Sequence, residues 1–374
     1  MDAQIVFVAV VAGRFLLPLL IFRYPLPAII GCLVLDGVDQ TIFQAFGYDP
    51  PGYQGYDKAM DVFYLAIAYI AMMRNWTSVP AFRIGRFLYF YRLVGVVAFE
   101  LLQVRALLLV FPNTFEYFFI AYEAIRLRWD PSRFGMRFWL AIAAFIWVVV
   151  KLPQEWWIHI AKLDLTDALD ANPWGYAVIV LLVVVAAVLF RFVLMPRLGP
   201  VDHSWRVVSD PLPQSVDDAS ELAAWQAHNT RVFSAVTLEK VALVGLIAVV
   251  YSRVLPDLRS TTAQVFVAIA VLVVINAAIS LWAYRAARTV QSIYAAFAVR
   301  IGINLALIAV ADWLLGPSDR DLNRAATVFF VLLLSLLTLL HDRYLPVHRV
   351  RALGAESGQG APGEPGAVSR SAAG

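Results

Sequence analysis

Long apolar stretches recur along this 374-residue chain from one end to near the other. A helix that crosses the hydrocarbon core of a bilayer needs about 20 mostly apolar residues. About eleven such stretches occur, at residues 3–22, 26–46, 58–74, 85–110, 114–128, 134–151, 174–195, 235–254, 262–285, 291–315 and 321–341. They are continuous rather than alternating with a period of two, which argues against membrane strands. The sequence therefore predicts an all-α polytopic integral membrane protein.

The composition excludes several other classes of protein. Apolar residues make up 61% of the chain and charged residues 15%, against roughly half and a quarter in soluble proteins. A net charge of +3 gives no reason to expect a nucleic-acid partner. Cys32 is the single cysteine and forms no internal disulfide. Motifs for nucleotide binding, zinc proteases and serine hydrolases do not occur, so no cofactor and no metal is predicted.

Arginine-rich loops alternate with loops that are acidic or almost uncharged. The basic residues follow the odd-numbered spans, at Arg74 and Arg83; Arg126, Arg128, Arg133 and Arg137; Arg197 and Arg206; Arg285 and Arg288; and Arg343, Arg349 and Arg351. Because basic loops mark the cytoplasmic side, we expect the N-terminus outside and the C-terminus in the cytoplasm. The short span at 114–128 leaves ten spans as the alternative count. The abundance of arginine over lysine favours a bacterial cell (plasma or inner) membrane.

Three segments are expected outside the hydrocarbon core of the bundle at 1–351. Residues 153–163 follow a proline and place Trp156 and Ile160 at helical spacing, which predicts an interfacial helix. Residues 196–234 combine a polar loop with a helix on the cytoplasmic side. Residues 352–374 are rich in Gly, Ala, Ser and Pro, so a disordered cytoplasmic tail is predicted.

Seven polar residues lie deep inside predicted spans, and we treat them as the candidate functional band. Their depths, at a rise of about 1.5 Å per residue, are roughly 14 to 22 Å from the outer ends of their helices. An ionisable group at this depth is costly unless it is paired or hydrated. We expect Arg14 to pair with Asp36, and Arg300 to pair with Glu100 or Glu123. The band consists of Arg14, Asp36, Glu100, Glu123, Asn276, Arg300 and Asn304.

Further acidic residues are expected near the outer ends of spans two and three. Asp36, Asp39 and Gln40 share one face of a helix, because they stand three and four residues apart. Asp57 and Asp61 are likewise four residues apart. Together these residues predict an acidic outer vestibule that concentrates cations by electrostatics. The alternative is that they are ordinary solvated acids and that Asp36 only neutralises Arg14.

The pattern favours passive or ion-coupled transport of a small solute, proton or cation through the polar band. A second hypothesis is a membrane transferase acting on lipids or isoprenoids, with the outer aspartates holding a metal–diphosphate group. A third is a structural or assembly subunit that binds partners through residues 200–235. A transporter should have a hydrated cavity that reaches the band, whereas a transferase needs the four aspartates to converge. A dry bundle in which every charge is paired would favour the structural role.

Overall fold

The protein is all-helical wherever regular secondary structure is described. The computed structural model describes residues 3–47, 53–161, 172, 174–255, 260–286, 288, 290–315 and 324–356, and no strand occurs among them. Seven helical stretches are long and apolar enough to cross a membrane by length and composition, namely Gln4–Phe22, Pro25–Ala45, Met136–Ile158, Ala235–Val254, Thr262–Arg285, Ile293–Val310 and Ala326–Gly354. These features are consistent with an all-α membrane protein.

The first half of the chain contains helices of very different length. Helices α1 to α6 are Ala3–Leu16, Pro25–Ala45, Tyr53–Asn75, Val79–Leu102, Ala106–Val110 and Thr114–Arg126. Helix α1 continues as a 3-10 helix, Leu17–Phe22. Helix α7 begins as Met136–Phe145 and continues unbroken through Ile146–Lys151, Leu152–Glu155 and Trp156–Ile160, of which the first and third are π-helical.

The second half contains longer helices separated by short connections. Helix α8 begins as Gly175–Leu189 and continues through Phe190–Leu194 and Met195–Leu198. Helices α9 to α13 are Ala219–Asn229, Ala235–Val254, Thr262–Arg285, Ile293–Leu315 and Arg324–Glu356. The bounds of α10 and α11 coincide with the predicted stretches 235–254 and 262–285. Ser234 caps the first of these helices, and Thr261 forms a capping box with Gln264 on the second.

The predicted span 85–110 is wrong as a single helix. Helix α4 ends at Leu102, because Gln103 adopts a left-handed conformation with φ of 55°. The short helix α5 follows it. Helix α6 has 13 residues, which corresponds to a length of about 20 Å and falls short of the hydrocarbon core of about 30 Å. Because the chain turns at Gln103, helices α5 and α6 are separate helices and not a continuation of α4.

Two predictions for segments outside the bundle also need correction. The predicted interfacial helix 153–163 is, up to Ile160, the end of α7. Pro153 thus lies inside a continuous helix, two residues after the π-helical segment Ile146–Lys151, rather than at a helix start. The predicted disordered tail begins too early, since α13 extends to Glu356. Arg351 anchors this extension by donating to the carbonyls of Arg74 and Pro211. Residues 162, 163 and 357–374 lie outside the described residues.

Helix α3 forms the core of the bundle. Its residues 62–73 are all buried, and it packs against α1, α2, α4, α6, α10 and α13. Helix α8 is the opposite case, because apolar side chains such as Val180, Leu181 and Phe192 are at least 60% exposed. Exposed apolar surface of this kind is suited to contact with lipid. The central helix is thus shielded by the others, so a charge on it must be satisfied within the protein.

Four of the basic connections meet at one end of the bundle, around the connection at residues 199–213. This connection makes the following contacts: the Ser209 N–H donates to the Arg23 carbonyl at 2.9 Å, the Asp202 N–H to the Arg128 carbonyl at 3.0 Å, Arg74 to the Asp210 carbonyl at 3.5 Å, and Arg351 to the Pro211 carbonyl at 2.9 Å. Arg133 also forms an ion pair with Asp202 at 2.5 Å. The connections after α1, α3, α6 and α8 therefore lie together with the end of α13.

Candidate functional site

The principal site is built by the first three helices around Arg14. Helix α1 carries Arg14, α2 carries Asp36 and Asp39, and α3 carries Asp57 and Asp61. The two aspartates on each helix are three or four residues apart, so both point to the same side. The sequence thereby directs four carboxylates from two helices toward one guanidinium group.

Each terminal nitrogen of Arg14 contacts one aspartate from each neighbouring helix. Nη1 donates to Asp39 and, at 3.2 Å, to Oδ1 of Asp57. Nη2 donates to Asp36 and, at 3.1 Å, to Oδ1 of Asp61. The planar fork of an arginine suits this arrangement, which a lysine ammonium would not reproduce. The predicted pair of Arg14 and Asp36 is confirmed, but it is one of four.

The Arg14 cluster is closed on one side and open on the other. The side chain of Arg14 is 3% exposed and that of Asp39 is fully buried, whereas Asp36, Asp57 and Asp61 are 24%, 32% and 20% exposed. Asp36, Asp57 and Asp61 therefore reach the surface of the protein, whereas Arg14 and Asp39 do not. The predicted vestibule residue Gln40 is exposed and makes no hydrogen bond to the cluster among the described residues.

The cluster carries more negative than positive charge. Four ionised carboxylates outnumber the guanidinium of Arg14 and the ammonium of Lys58, which interacts with Asp57 and Asp61, by two negative charges (2 − 4 = −2). Charges this close repel strongly when they are partly removed from water, so protons or a metal ion must compensate them. One oxygen from each of Asp36, Asp57 and Asp61 lies within 4.8 Å of the other two. Hard cations such as Mg²⁺ and Ca²⁺ prefer such oxygen ligands.

A second polar group adjoins the cluster and was not predicted. Tyr64, one turn beyond Asp61 on α3, donates a 2.5 Å hydrogen bond to Oε1 of Glu116. The amide of Asn113 donates to the other oxygen of Glu116 at 2.9 Å. Glu116 is only 3% exposed although it lies in the first turn of α6. A glutamate in the first turn of a helix normally lies in water, so the position of Glu116 alone does not predict its burial. The one indication is that α6, with 13 residues, is too short to place both of its ends outside the bilayer.

The seven residues of the predicted band do not form one layer. Glu123 accepts from Trp76 Nε1 at 2.9 Å and from Arg126 Nε at 2.6 Å, and Arg126 in turn contacts Asp210 in the basic connection. Glu100 lies in the last turn of α4 and is 6% exposed. Both carboxylates are buried, but neither belongs to the Arg14 cluster.

The predicted pairing of Arg300 with Glu100 or Glu123 is wrong. Helix α12 packs against α11 and α13 rather than α4 or α6, so Arg300 instead binds Oδ2 of Asp342 through both terminal nitrogens at 3.0 Å. Lys240 contacts the other oxygen of Asp342 at 2.8 Å. Asp342 was missed because the predicted span ended one residue before it, whereas α13 continues for several turns.

The two amides of the band do come together. Asn276 donates to the side chain of Asn304 at 2.5 Å, and Asn304 donates to Ser335 Oγ at 2.9 Å. Both asparagines are almost completely buried. This chain of hydrogen bonds links α11, α12 and α13 and satisfies polar groups that would otherwise be costly at this depth.

Another unpredicted network surrounds Glu239 in the first two turns of α10. Its carboxylate accepts from Tyr69, lies 3.4 Å from Nε2 of His341, and forms an ion pair with Arg86 at 2.7 Å. The Arg86 side chain is 48% exposed. In contrast to the Arg14 cluster, this network contains one carboxylate and at least one cation, so it has no negative excess.

Comparisons with known proteins return no relatives. No family model matches the chain, and neither the curated proteins nor the solved structures include a significant match. The function must therefore be inferred from the chemistry of the Arg14 cluster.

Proposed function

We propose that the protein is a membrane transport protein that binds a cation at the Arg14 cluster and couples or conducts it during transport of a small solute or ion. The observation that carries this proposal is the cluster of four carboxylates around one buried arginine, with three of the four aspartates accessible. One carboxylate would suffice to neutralise Arg14. The others give the site affinity for a proton or a metal ion.

The topology that we propose has eleven spans, with the N-terminus outside and the C-terminus cytoplasmic in a bacterial cell membrane. It is supported by the meeting of four of the arginine-rich connections at one end, as positive-inside sorting requires. In this topology the exposed aspartates face outward. The short α6 is the fifth of these spans, and ten spans is the alternative count if α6 does not cross.

The aspartates would have different roles in binding. Asp39, fully buried on Arg14, would remain with the arginine as a fixed anchor. Asp36, Asp57 and Asp61 would exchange the cation, because their oxygens are close together and accessible. Arg14 would hold the three carboxylates near one another while the site is empty. The guanidinium cannot lose its proton in a protein, so it stays a fixed counter-charge.

A metal-dependent lipid transferase is the second candidate. It is favoured by the convergence of Asp36, Asp39, Asp57 and Asp61, which such an enzyme would require. However, Arg14 contacts all four aspartates. A metal–diphosphate group would have to displace the arginine from these carboxylates or bind to their outer oxygens. The structural-subunit hypothesis, by contrast, requires no ligand at this cluster.

Ion flux in proteoliposomes tests the transport proposal directly. Purified protein is reconstituted, and proton, sodium and manganese fluxes are measured for the wild type and for Asp36→Asn. Asp130→Asn is the matched control, since Asp130 is an exposed aspartate that belongs to no group of converging carboxylates among the described residues, and asparagine keeps its hydrogen bond to the Ser132 N–H. We expect at least a tenfold loss of flux for one cation in Asp36→Asn and none in the control.

Equal flux in the wild type and Asp36→Asn would refute the role of Asp36. Binding of Mn²⁺ to detergent-solubilised protein, followed by electron paramagnetic resonance, separates the remaining hypotheses. Binding that is lost in Asp61→Asn and accompanied by flux supports transport of, or coupling to, a metal ion. Binding without flux, together with metal-dependent turnover of an isoprenoid diphosphate, would instead establish the transferase.

A further inference from the structure

A cavity of about 150 Å³ lies between α9, α11, α12 and α13. Its polar lining residues are Asn276, Ser280, Tyr284, Arg288, Arg300 and Arg343. One buried water needs a cavity of only about 10–15 Å³, so this cavity has room for a group of several atoms. None of its lining residues belongs to the Arg14 cluster.

The charge around this cavity is positive. Asp342 is shared between Arg300 and Lys240, so these two cations have one carboxylate between them. Arg288 rests on Trp282, with its guanidinium carbon 4.9 Å from the ring centre. Within the described part of the chain, no carboxylate lies within ion-pair distance of Arg288 or Arg343. Three arginines therefore line the cavity, and none of its lining residues is a carboxylate; Arg300 is the one of the three that is paired with Asp342.

The rest of the cavity wall is apolar. It includes the side chains of Ile279, Ala283, Ala296, Val299, Ile303 and Leu339. Val299 is 52% exposed on the outside of α12, where the bundle would meet lipid. A simple inorganic anion would use the arginines but not this wall. A ligand with an anionic head and a hydrocarbon chain would use both.

We infer that this cavity binds one anionic phospholipid. Its phosphate would lie between Arg288 and Arg343, and an acyl chain would follow the apolar side of α12. Basic pockets between membrane helices on the cytoplasmic side bind anionic lipid head groups. In the proposed topology the connection that contains Arg288 is cytoplasmic, so the lipid would come from the inner leaflet. The inference does not depend on the cation site.

Native mass spectrometry of the full chain in detergent tests this inference. Delipidated protein is mixed with phosphatidylglycerol or with phosphatidylcholine of the same chain length, and the bound lipid is counted. We expect one retained phosphatidylglycerol per chain and at least a tenfold weaker retention of phosphatidylcholine. Arg288→Gln and the double variant with Arg343→Gln should lose this preference. Arg231→Gln, an exposed arginine outside the cavity, is the matched control and should keep it.

Two further measurements separate a lipid from a free anion. Ala296→Trp fills the apolar part of the cavity and should reduce lipid retention without removing a charge. Millimolar inorganic phosphate should fail to displace the lipid if the acyl chain contributes to binding. Equal retention of both lipids by the wild type, or unchanged preference in the double arginine variant, would overturn the inference. Displacement by phosphate with no effect of Ala296→Trp would also overturn it, because it would show a free anion site.

Discussion

Replacement of Arg14 by glutamine should destabilise the protein more than any other single change in the cluster. Removal of one partner from a buried ion pair costs about 3–5 kcal/mol, and Asp39 meets this condition because it is fully buried. The other three aspartates are 20–32% exposed. Water screens them, so each adds at most about 1 kcal/mol. The expected loss is thus about 3–8 kcal/mol, a large part of a typical stability of about 5–15 kcal/mol.

A second substitution shows where the loss arises. In the background of Arg14→Gln, the change Asp39→Asn removes the fully buried charge and should restore about 3 kcal/mol or more. Asp57→Asn in the same background removes the most exposed of the four charges and should restore about 1 kcal/mol or less. Asp57→Asn therefore serves as the matched control, since both changes remove one negative charge from the same arginine.

The assay is equilibrium unfolding in mixed micelles, with the fluorescence of the buried tryptophans as the signal. The four proteins are compared under one set of conditions, so that differences in unfolding free energy are read from the shift of the midpoint. If Arg14→Gln lowers the stability by less than about 1 kcal/mol, the value for an exposed pair, the reasoning is refuted. Equal restoration by the two aspartate substitutions would show that burial does not determine the cost.

Three more predictions concern other parts of the bundle. Gly95→Ala should lower stability by about 1–3 kcal/mol in the same unfolding assay, because a Cβ there would lie 2.1 Å from Cβ of Phe111; unchanged stability would contradict this close approach. The backbone N–H of Asp130 and the guanidinium of Arg133 hold the pKa of Asp202 below its usual range, so this contact stabilises the protein near neutral pH and is lost as the pH falls below about 4. Asp202→Asn should then speed hydrogen exchange in residues 127–135 at pH 7. An exchange rate in the variant equal to that of the wild type would contradict this prediction. Asn304→Ala should cost about 1–3 kcal/mol by leaving its buried partners unsatisfied, whereas an unfolding midpoint equal to the wild type would show that they find other partners.

Local signals in the sequence were sufficient for some helices and one ion pair. The helices Ala235–Val254 and Thr262–Arg285 were predicted to the residue, because each coincides with one apolar stretch of about the length that a bilayer requires. The pair of Arg14 and Asp36 could be predicted because adjacent helices place opposite charges at similar depth. In both cases the information lies within a short segment or in neighbouring segments.

Packing between distant segments could not be predicted in the same way. Helix α4 ends at Gln103 through one left-handed residue in an apolar stretch, and composition does not signal it. Asp342 pairs with Arg300 because α13 continues past the predicted end of its span, held by Arg351. The contact between Asp39 and Arg14 was likewise not predicted, although Asp39 was correctly expected on the same face of α2 as Asp36. A depth estimate places residues along a helix but does not say which helices are neighbours.

The two charge excesses follow from this packing and have opposite signs. If the aspartates around Arg14 served only to neutralise it, three of them would raise the energy of the folded state, because carboxylate oxygens within 4.8 Å of one another repel even when partly exposed. The same reasoning applies to the three arginines that line the cavity. Each excess is tolerable only if mobile ions or groups of the opposite charge occupy the site for much of the time. We therefore propose that the Arg14 cluster holds a cation and that the cavity at Arg288 and Arg343 holds an anion, so the loss of either ligand should destabilise its own part of the bundle.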